Sequence, residues 1–363
     1  MKLSATKITG KDVIFVSNAL ANGGAARVLC LLANRFVEDG YEVGVIAFNP
    51  YTGEFPLNQS VSREYGPTGA GPLGKARRIR WIREVAQRNP NARLIAFEYF
   101  VNMLTLIACT GLPNTVVVSE RNDPARVGNG FPTGFLRSLL YRKANALVCQ
   151  TDEAAAYFSH KIAKQVILNP IKPDLPKVGL IKRRPTVVTF CRLERQKNLQ
   201  MLIDAFAEFH RQHPEYTLEI YGDGRERSNL IAQVRLLGIE ECVSISPARH
   251  DIHEIVKDCA MFALPSDYEG LSNSMIEAMA LGLPTICTEC PCGGAAMIID
   301  HGRNGILVPV GDQDALAAAM DQIASDNGFA QALSHNAAKI REQLSLEVVA
   351  RKWESVTFGD GIA

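Results

Sequence analysis

The sequence lacks several features, and each absence argues against a class of protein. No apolar run reaches about 18 residues, the length that a membrane-spanning helix needs, and no signal peptide opens the chain. We therefore expect a cytoplasmic protein without a membrane span. The motifs of zinc proteases, P-loop nucleotidases and α/β-hydrolases are also absent. No known nucleic-acid-binding module is present, so we expect no nucleic acid partner.

Cysteine is present, but without a disulfide pattern. The nine cysteines are scattered, mostly within apolar segments, which is typical of reduced core thiols in a cytoplasmic protein. Cys287, Cys290 and Cys292 are close enough in sequence to resemble part of a metal site. No histidine or fourth cysteine lies near them before His301, so we expect no metal ion there.

The chain is long enough for two domains. With 363 residues, of which 47% are hydrophobic and 21% charged, it can bury sizeable cores. Its net charge is only +1, but the charge is unevenly placed. Residues 1–168 carry 20 Lys and Arg against 12 Asp and Glu, whereas the remaining residues carry 19 against 26. A basic first half and an acidic second half indicate two domains with different partners.

Strand patterns alternate with helical patterns in two successive runs. The first run predicts strands at residues 13–16, 42–48, 94–97, 115–118, 145–149 and 166–168. The second run predicts strands at 186–190, 216–221, 242–245, 261–264, 285–287 and 306–308. Two such runs predict two doubly wound α/β domains with parallel sheets.

The domain boundaries follow from the composition between the two runs. Three prolines within residues 170–176, followed by the basic residues 182–184, indicate a linker. We place the first domain at residues 1–170 and the second at residues 185–343. A last helix within residues 344–363 contains Trp353 and is expected to pack back on the first domain.

Polar residues and glycines follow several strands of the first domain, where ligands collect in open α/β sheets. Gly23 and Gly24 lie between a strand and a helix, a layout that lets the backbone approach a phosphate or a sugar. The three glycines of the dinucleotide-binding motif are absent. Glu98 and residues 119–122, which include Arg121, are further site candidates to which the sequence assigns no role.

A helix predicted at residues 75–87 is strongly basic. It carries five Lys and Arg residues beside Trp81 and two isoleucines. This pattern fits contact with an anionic membrane surface. It also fits a surface helix with a solvated basic face and one apolar seam, which is the interpretation that we prefer.

Two cations flank the turn after the first strand of the second domain. Arg192 and Lys197 lie where phosphates are favoured, and together they could neutralise a departing nucleoside diphosphate without a metal ion. They could also be surface charges without a ligand. Asp312 and Asp314 match the Asp-x-Asp pattern of metal-dependent sugar transfer, but we interpret them as the N-cap and first turn of a helix.

Residues 269–284 are the centre of the predicted chemistry. Ser272, Asn273 and Ser274 are all suitable N-caps, so we expect a helix that begins within residues 271–274. It should end near Leu281, because Gly282 is a suitable terminator. Glu269 then precedes the helix and Glu277 lies within it, roughly 12 Å away at about 1.5 Å per residue. Because the helix N-terminus between them favours a phosphate, the segment predicts a nucleotide-sugar site with a carboxylate at each hydroxyl-rich end. An ordinary amphipathic helix with two solvated glutamates has the same spacing.

Taken together, these motifs resemble glycosyltransferase family 4, the retaining nucleotide-sugar transferases of GT-B fold. The resemblance covers almost the whole chain and is most specific over residues 186–310. There, Arg192 and Lys197 form an Arg-x4-Lys pattern, and Glu269 and Glu277 form a Glu-x7-Glu pattern. The resemblance implies an α/β fold of two doubly wound, Rossmann-like domains that face each other across a cleft.

The family pattern implies a role for each matching residue. The catalytic set would be Arg192 and Lys197 at the donor diphosphate and Glu269 at the donor sugar. Glu277 would bind the ribose, and Leu271, Ser272 and Asn273 would offer backbone N–H groups. Pro247 and Arg249 would lie in the loop where the base docks, and Gly23 and Gly24 would approach the diphosphate. Gly222, in the turn after a strand, completes the donor-binding set. Two positions depart from the pattern: Arg121 replaces a common histidine, and Gly293-Gly294 is not followed by the usual glutamate.

The resemblance implies a retaining glycosyltransferase of bacterial surface polysaccharide synthesis, such as that of lipopolysaccharide or capsule. Its donor would be a UDP-sugar, and its acceptor a hydroxyl of a polyprenyl-diphosphate-linked saccharide. The nucleotide sugar is a substrate, so we expect no cofactor and no metal ion. The enzyme would be cytoplasmic and peripheral on the inner face of the cytoplasmic membrane. The alternatives are a GDP-mannose-dependent mannosyltransferase, a nucleotide-sugar-binding protein without transfer activity, and an epimerase of the same shape.

Overall fold

The computed structural model describes residues 7–21, 23–177 and 182–359. The chain forms two compact units: one contains the chain up to Pro170 and from Leu346 onward, and the other is Ile171–Ser345. Each unit has a parallel sheet with helices between most of its successive strands. The predicted pair of doubly wound α/β domains is therefore confirmed.

The described part of the first unit contains a seven-stranded sheet. Its strands are β1 (Val13–Ala19), β2 (Val43–Asn49), β3 (Ser62–Tyr65), β4 (Arg93–Phe97), β5 (Val116–Ser119), β6 (Ala146–Cys149) and β7 (Lys164–Val166). They are ordered β3-β2-β1-β4-β5-β6-β7, so the winding direction reverses between β1 and β4. The sequence patterns missed β3, because its buried side chain is Glu64 and it offers no apolar alternation.

Five helices connect these strands. They are α1 (Gly24–Glu38), α2 (Gly71–Arg88), α3 (Tyr99–Ala108), α4 (Thr133–Tyr141) and α5 (Asp152–Tyr157). Helix α2 begins four residues before the predicted start at residue 75, with Pro72 in its first turn. Proline is tolerated there because the first N–H groups of a helix have no intrahelical acceptor.

The second unit contains a six-stranded sheet within its described residues. The strands are β8 (Arg184–Phe190), β9 (Thr217–Tyr221), β10 (Val243–Ser246), β11 (Cys259–Leu264), β12 (Thr285–Thr288) and β13 (Ile306–Val308), in the order β10-β9-β8-β11-β12-β13. The helices are α6 (Leu199–Gln212), α7 (Arg227–Leu237), α8 (Ile252–Val256), α9 (Asn273–Ala280), α10 (Gln313–Ser325), α11 (Asn327–Ala338) and α12 (Ile340–Gln343). A 3-10 turn, Arg195–Lys197, precedes α6.

The apolar stripe of α6 builds much of the core of the second unit. Leu199, Leu202, Phe206 and Phe209 recur at helical spacing and are buried. At this spacing they form one stripe on the helix. The same core includes strand residues such as Ile220 of β9.

The segment interpreted as a linker belongs largely to the second unit. The backbone N–H of Ile171 donates to the carbonyl of Leu344 at 2.8 Å, and Arg341 donates to the Pro176 carbonyl. At the other end, Arg184 is the first residue of β8 and pairs with Glu219 at 2.5 Å. Residues 178–181 lie outside the described residues. Contacts to distant parts of the chain thus fix residues that look like linker in sequence.

The last helix, α13 (Leu346–Phe358), packs on the first unit, to which it is assigned. Trp353 is fully buried, and its ring lies 5.3 Å from that of Phe97 in β4. The Phe358 ring stacks on that of Tyr41 at 4.2 Å. Of the helices in residues 7–21, 23–177 and 182–359, none combines enough length with enough apolar character to cross a bilayer.

Candidate active site

Helix α9 has both of the ends that the sequence predicts. Ser272 is the N-cap, and its hydroxyl accepts a hydrogen bond from the Met275 N–H at 3.5 Å. After Ala280, Gly282 takes a left-handed conformation with φ of 69°. The Leu283 N–H donates to the Ala278 carbonyl at 3.0 Å, which closes a Schellman motif. Leu271, Ser272 and Asn273 therefore lie at the N-terminus of this helix.

Lys197 and Glu269, two of the three predicted catalytic residues, form an ion pair. The Lys197 ammonium group donates to a carboxylate oxygen of Glu269, and the Ser266 hydroxyl donates to the same oxygen at 3.0 Å. Burial favours the neutral amine of Lys197, but attraction to Glu269 outweighs it and raises the pKa of Lys197. The lysine is therefore a buried cation beside the loop that leads into α9.

Arg192, the third predicted catalytic residue, is an exposed neighbour of this pair. Its positive charge repels that of Lys197 and so lowers the pKa of the lysine, against the stronger effect of Glu269. The Gln196 amide donates to the Tyr268 carbonyl at 2.8 Å, and the Asp267 N–H donates to the Gln196 carbonyl at 2.9 Å. These bonds join the turn after β8 to the loop after β11.

Glu277, the predicted ribose ligand, is buried and paired with a histidine. The Nε2 atom of His253 lies 2.9 Å from a carboxylate oxygen of Glu277, and both side chains are buried. The His253 ring packs edge-on against Phe190, at the end of β8, with 5.9 Å between ring centres. No sequence pattern indicates His253, because 24 residues separate it from Glu277 and a lone histidine in a short helix gives no spacing signal.

The predicted base-binding loop and Gly222 come together after β9 and β10. The Gly222 N–H donates to the Ser246 carbonyl at 2.9 Å, and Asp223 accepts from the Ala248 N–H at 3.0 Å. A Cβ atom on Gly222 would lie 1.9 Å from the Cys191 carbonyl oxygen. Glycine is therefore required here for close packing of the turn against the segment that carries Arg192. Arg249 is exposed and pairs with Asp251 at 2.8 Å, and Pro247 lies in the same loop.

The glycine pair after β12 packs directly on the loop that carries Glu269. A Cβ atom on Gly294 would lie 1.7 Å from the Gly270 carbonyl oxygen. The Glu269 N–H also donates to the Pro291 carbonyl at 3.1 Å. This loop lacks the glutamate that the family pattern led us to expect, and its close contact fixes the backbone beside Glu269.

One edge of the second sheet collects these groups. Strands β8 to β13 are parallel, so the loops that follow β8, β9, β10, β11 and β12 all emerge at their carboxyl ends. The predicted donor residues of this unit lie in those loops or in α9. A buried carboxylate (Glu277), a half-buried one (Glu269), a buried cation, an exposed cation and a helix N-terminus thus share one edge, which suits a polyhydroxylated anionic ligand.

The remaining predicted residues belong to the first unit. Gly23 is the N-cap of α1 and Gly24 its first residue, at the carboxyl end of β1. Glu98, at the carboxyl end of β4, is exposed and has a φ of 76°, an uncommon conformation for a residue with a side chain. The Arg121 guanidinium lies 4.7 Å from the Phe97 ring centre and donates to Asn169. Burial lowers the pKa of Arg121 to about 9, against an attraction to Glu98.

The first unit also buries a charged cluster that the sequence did not predict. Glu120 accepts from the Tyr141 hydroxyl at 2.6 Å and lies 3.6 Å from Arg137, and all three side chains are buried. Arg137 donates to the carbonyls of Pro124 at 2.7 Å and Val127 at 2.8 Å. Burial raises the pKa of Glu120 to about 7, although Arg137 and Tyr141 oppose the shift.

The basic helix α2 turns its apolar seam inward. The Trp81 indole donates to Glu64 at 2.8 Å and packs near Phe48, while Ile82 is fully buried. Arg83 donates to the backbone carbonyls of residues 108 and 110. The helix thus matches the preferred interpretation of a basic surface helix, and Trp81 and Ile82 do not face outward to meet a membrane.

The cysteines are free thiols, and burial raises the pKa of several. That of Cys290, in the loop after β12, is raised to about 12. Over residues 7–21, 23–177 and 182–359, no three His, Cys, Asp or Glu side chains are grouped to hold a metal ion. Asp312 caps α10 by accepting from the Ala315 N–H at 2.9 Å, which confirms the helix-start interpretation of the Asp-x-Asp pattern.

Comparison with known proteins identifies relatives for both units. Residues 171–340 match the family of glycosyl transferases group 1. An amylovoran biosynthesis glycosyltransferase of Erwinia amylovora, AmsD, is 31% identical over 95% of this chain and 99% of its own. A Campylobacter jejuni N-acetylgalactosamine-N,N'-diacetylbacillosaminyl-diphospho-undecaprenol 4-alpha-N-acetylgalactosaminyltransferase is 26% identical over 89% of this chain and 92% of its own.

The fold has close counterparts among solved structures. The crystal structure of Anabaena HepE in complex with UDP and glucose superimposes with a TM-score of 0.83, covering 95% of this chain and 99% of HepE, at 21% identity. At this identity the likeness establishes the GT-B fold alone. The match over residues 171–340, together with the identity to AmsD along nearly its full length, shows that the chain belongs to the glycosyl transferases group 1 and is a glycosyltransferase.

Proposed function

We propose that this glycosyltransferase moves a sugar from a UDP-sugar to a hydroxyl of a polyprenyl-diphosphate-linked saccharide in bacterial surface polysaccharide synthesis. The observation that carries the proposal is the ion pair of Lys197 and Glu269 beside Arg192, at the same sheet edge as the N-terminus of α9. Two relatives support the substrate classes. The Campylobacter jejuni enzyme is named for a diphospho-undecaprenol-linked acceptor, and HepE was solved with UDP and glucose.

The cations act on the leaving group. When the donor binds, its diphosphate competes with Glu269 for Lys197, and Arg192 approaches from the exposed side. As the bond from the anomeric carbon to the phosphate oxygen breaks, negative charge grows on that oxygen and the two cations stabilise it. Glu269, released from part of its interaction with Lys197, then accepts hydrogen bonds from donor sugar hydroxyls.

Glu277 orients the nucleoside. Its carboxylate is held by His253 and accepts hydrogen bonds from the ribose hydroxyls, which fixes the diphosphate between Glu277 and Glu269. Transfer proceeds with retention: the acceptor oxygen bonds to the anomeric carbon on the face that the phosphate leaves, and its proton passes to the leaving phosphate oxygen. This scheme requires neither a side-chain base nor a metal ion, so transfer should persist in EDTA.

A thermal-shift panel of UDP-, GDP- and ADP-sugars tests the donor. A donor present at 100 times its dissociation constant stabilises the protein by about 2.7 kcal/mol. We expect the shift with a UDP-sugar. A shift with GDP-mannose alone would replace the proposal with a mannosyltransferase.

The reaction itself is tested with the selected donor and a polyprenyl-diphosphate-linked saccharide. Proton NMR of the product should show the anomeric configuration of the donor, whereas the opposite configuration would contradict retention. Binding of the donor without any transfer or hydrolysis would indicate a binding protein. Release of an isomeric sugar nucleotide without acceptor would indicate an epimerase.

A further inference from the structure

Helix α4 of the first unit has the opposite polarity to an ordinary surface helix, because large polar side chains face the interior and apolar ones face outward. Its buried residues include Arg137 and Tyr141, both fully buried. Its large exposed side chains are apolar: Phe135 is 67% exposed, Leu139 49% and Leu136 43%. Phe131, just before the helix, is 92% exposed. Single exposed apolar residues are common, but a contiguous group of this size marks an interaction site.

The buried hydrogen bonds of α4 fix this orientation. Arg137 donates to two backbone carbonyls of the preceding loop, and Tyr141 donates to Glu120 and accepts from Asn102 at 2.8 Å. Rotating the helix to bury Phe135 and Leu139 would break these bonds and leave buried polar groups without partners. The apolar side therefore stays outward.

The charge around this face is positive. Arg142 and Lys143 directly follow α4 and are both exposed. At about 100° per residue, Arg142 lies two turns after Phe135 on the same side. No Asp or Glu occurs between Asp123 and Asp152. The face thus presents apolar side chains edged by cations, without a nearby carboxylate in sequence to repel anions.

We infer that the outward face of α4, formed by Phe131, Phe135, Leu136 and Leu139 with Arg142 and Lys143, docks on an anionic lipid bilayer. The nine-residue helix is roughly 14 Å long, too short to cross a bilayer, so it lies in the plane of the headgroups. The apolar side chains enter the acyl region, and the cations contact the lipid phosphates. Helix α2 lacks this arrangement, because its seam is buried in the unit.

The inference rests on the proposed function in one respect: a lipid-linked acceptor gives the enzyme a reason to dock on a membrane. Vesicle binding itself needs neither donor nor acceptor. An experiment can therefore refute the docking face without refuting the proposed acceptor, and the reverse. If transfer is never observed but vesicle binding depends on α4, the docking face stands and the proposed acceptor falls.

Sedimentation of the full chain with vesicles of phosphatidylglycerol and phosphatidylcholine tests the docking face. We expect the F135S/L139S variant to bind at least about tenfold more weakly, since two apolar side chains are removed from the bilayer. Leu236 of α7 is 86% exposed in the second unit, and L236S is the matched control, expected to bind like wild type. R142S/K143S should lose its preference for anionic over pure phosphatidylcholine vesicles. Wild-type binding by F135S/L139S, or a loss caused only by R77S/R80S in α2, would overturn the inference.

Tryptophan fluorescence provides a second readout that does not depend on loss of binding. The chain has two tryptophans, and Trp353 is fully buried while Trp81 is turned inward. F135W should shift its emission to the blue with vesicles and be quenched by brominated lipids, whereas L236W should not. An unquenched F135W bound to vesicles would contradict the inference.

A second copy of the chain is the alternative partner for this face. Light scattering after size exclusion would reveal this self-association as a dimer that F135S/L139S converts to a monomer. Such a result, without vesicle binding by the wild-type chain, would replace the lipid surface with a second copy. In all variants, the donor thermal shift and transfer to a water-soluble acceptor should equal those of wild type, because α4 contains none of the proposed donor residues.

Discussion

Each unit of the molecule pairs a carboxylate with a cation near the carboxyl ends of its strands: Glu120, which is buried, in the first unit and Glu269, which is half-buried, in the second. The two carboxylates have different kinds of partner. Glu120 pairs with Arg137 and Tyr141, and Arg137 in turn is held by backbone carbonyls of the same unit. Glu269 pairs with Lys197, and the exposed Arg192 lies beside that pair. The first network is closed on itself. In the proposed mechanism, the second exchanges its carboxylate for a phosphate of the donor.

The networks of Glu120 and Glu269 show that a buried charge alone does not mark a substrate site. Both carboxylates interact with cations at strand ends, which is where ligands collect. The surroundings of the two cations differ. Arg137 donates its hydrogen bonds to backbone carbonyls of a loop, whereas Lys197 lies in a turn at the sheet edge that also holds the N-terminus of α9. Loss of Arg137 should therefore affect folding, and loss of Lys197 should affect catalysis.

The largest effect is expected for R137M. Removing Arg137 leaves Glu120 without its cation, although Tyr141 still donates to it, and leaves two backbone carbonyls without their donor. Breaking a buried ion pair in this way should lower the free energy of unfolding by about 3–5 kcal/mol. Thermal melting measures the loss, with R142M, an exposed arginine on the same helix end, as the control. A melting temperature equal to that of wild type would show that the cluster does not stabilise the first unit.

Lys197→Ala should reduce the rate of sugar transfer by about 100- to 1000-fold, since it removes a cation from the developing phosphate charge. Lys257, exposed in the same unit and paired with Glu254, offers the control K257A, which should transfer at the wild-type rate. Initial rates with saturating donor measure both. Equal rates for K197A and wild type would refute the assignment of the site.

The raised pKa of Glu120 predicts a pH dependence of stability in the first unit. The folded state keeps its proton up to about pH 7, whereas the unfolded carboxyl loses it near its ordinary value of 4.5. The folded state thus binds more protons between these values, so stability should fall as pH rises through this window, by at most about 3 kcal/mol. Melting temperatures across the window measure the slope. E120Q, which cannot titrate, should flatten it; an unchanged slope in E120Q would assign the dependence to another group.

The smallest effect is expected for His253, a positioning residue that acts through Glu277. H253A should raise the KM for the donor about tenfold with little change in kcat, because a hydrogen bond to a charged group is lost and Glu277 is less well oriented. H253Q, which can still donate, should recover part of the affinity. The exposed neighbour His250 provides the control H250Q. A change confined to kcat would contradict a role at the ribose.

Much of the candidate donor site could be predicted because its signals are local. The cap at Ser272, the left-handed Gly282 and the βα alternation each depend on a few neighbouring residues, and the structure has all three. The pairing of Glu277 with His253 could not be predicted. It depends on how α8 packs beside α9, a contact between segments far apart in the chain.

The sequence by itself determined the two α/β units, the ends of α9 and the order in which candidate residues follow the strands. It could do so because capping, turn preference and hydrophobic periodicity act over one or two turns of chain. The tertiary structure alone decided which partner each buried carboxylate has, and which face of α4 is turned outward. Periodicity would bury Phe135 and Leu139 of that helix, but the hydrogen bonds of Arg137 and Tyr141 to a distant strand end and loop hold the opposite face inside.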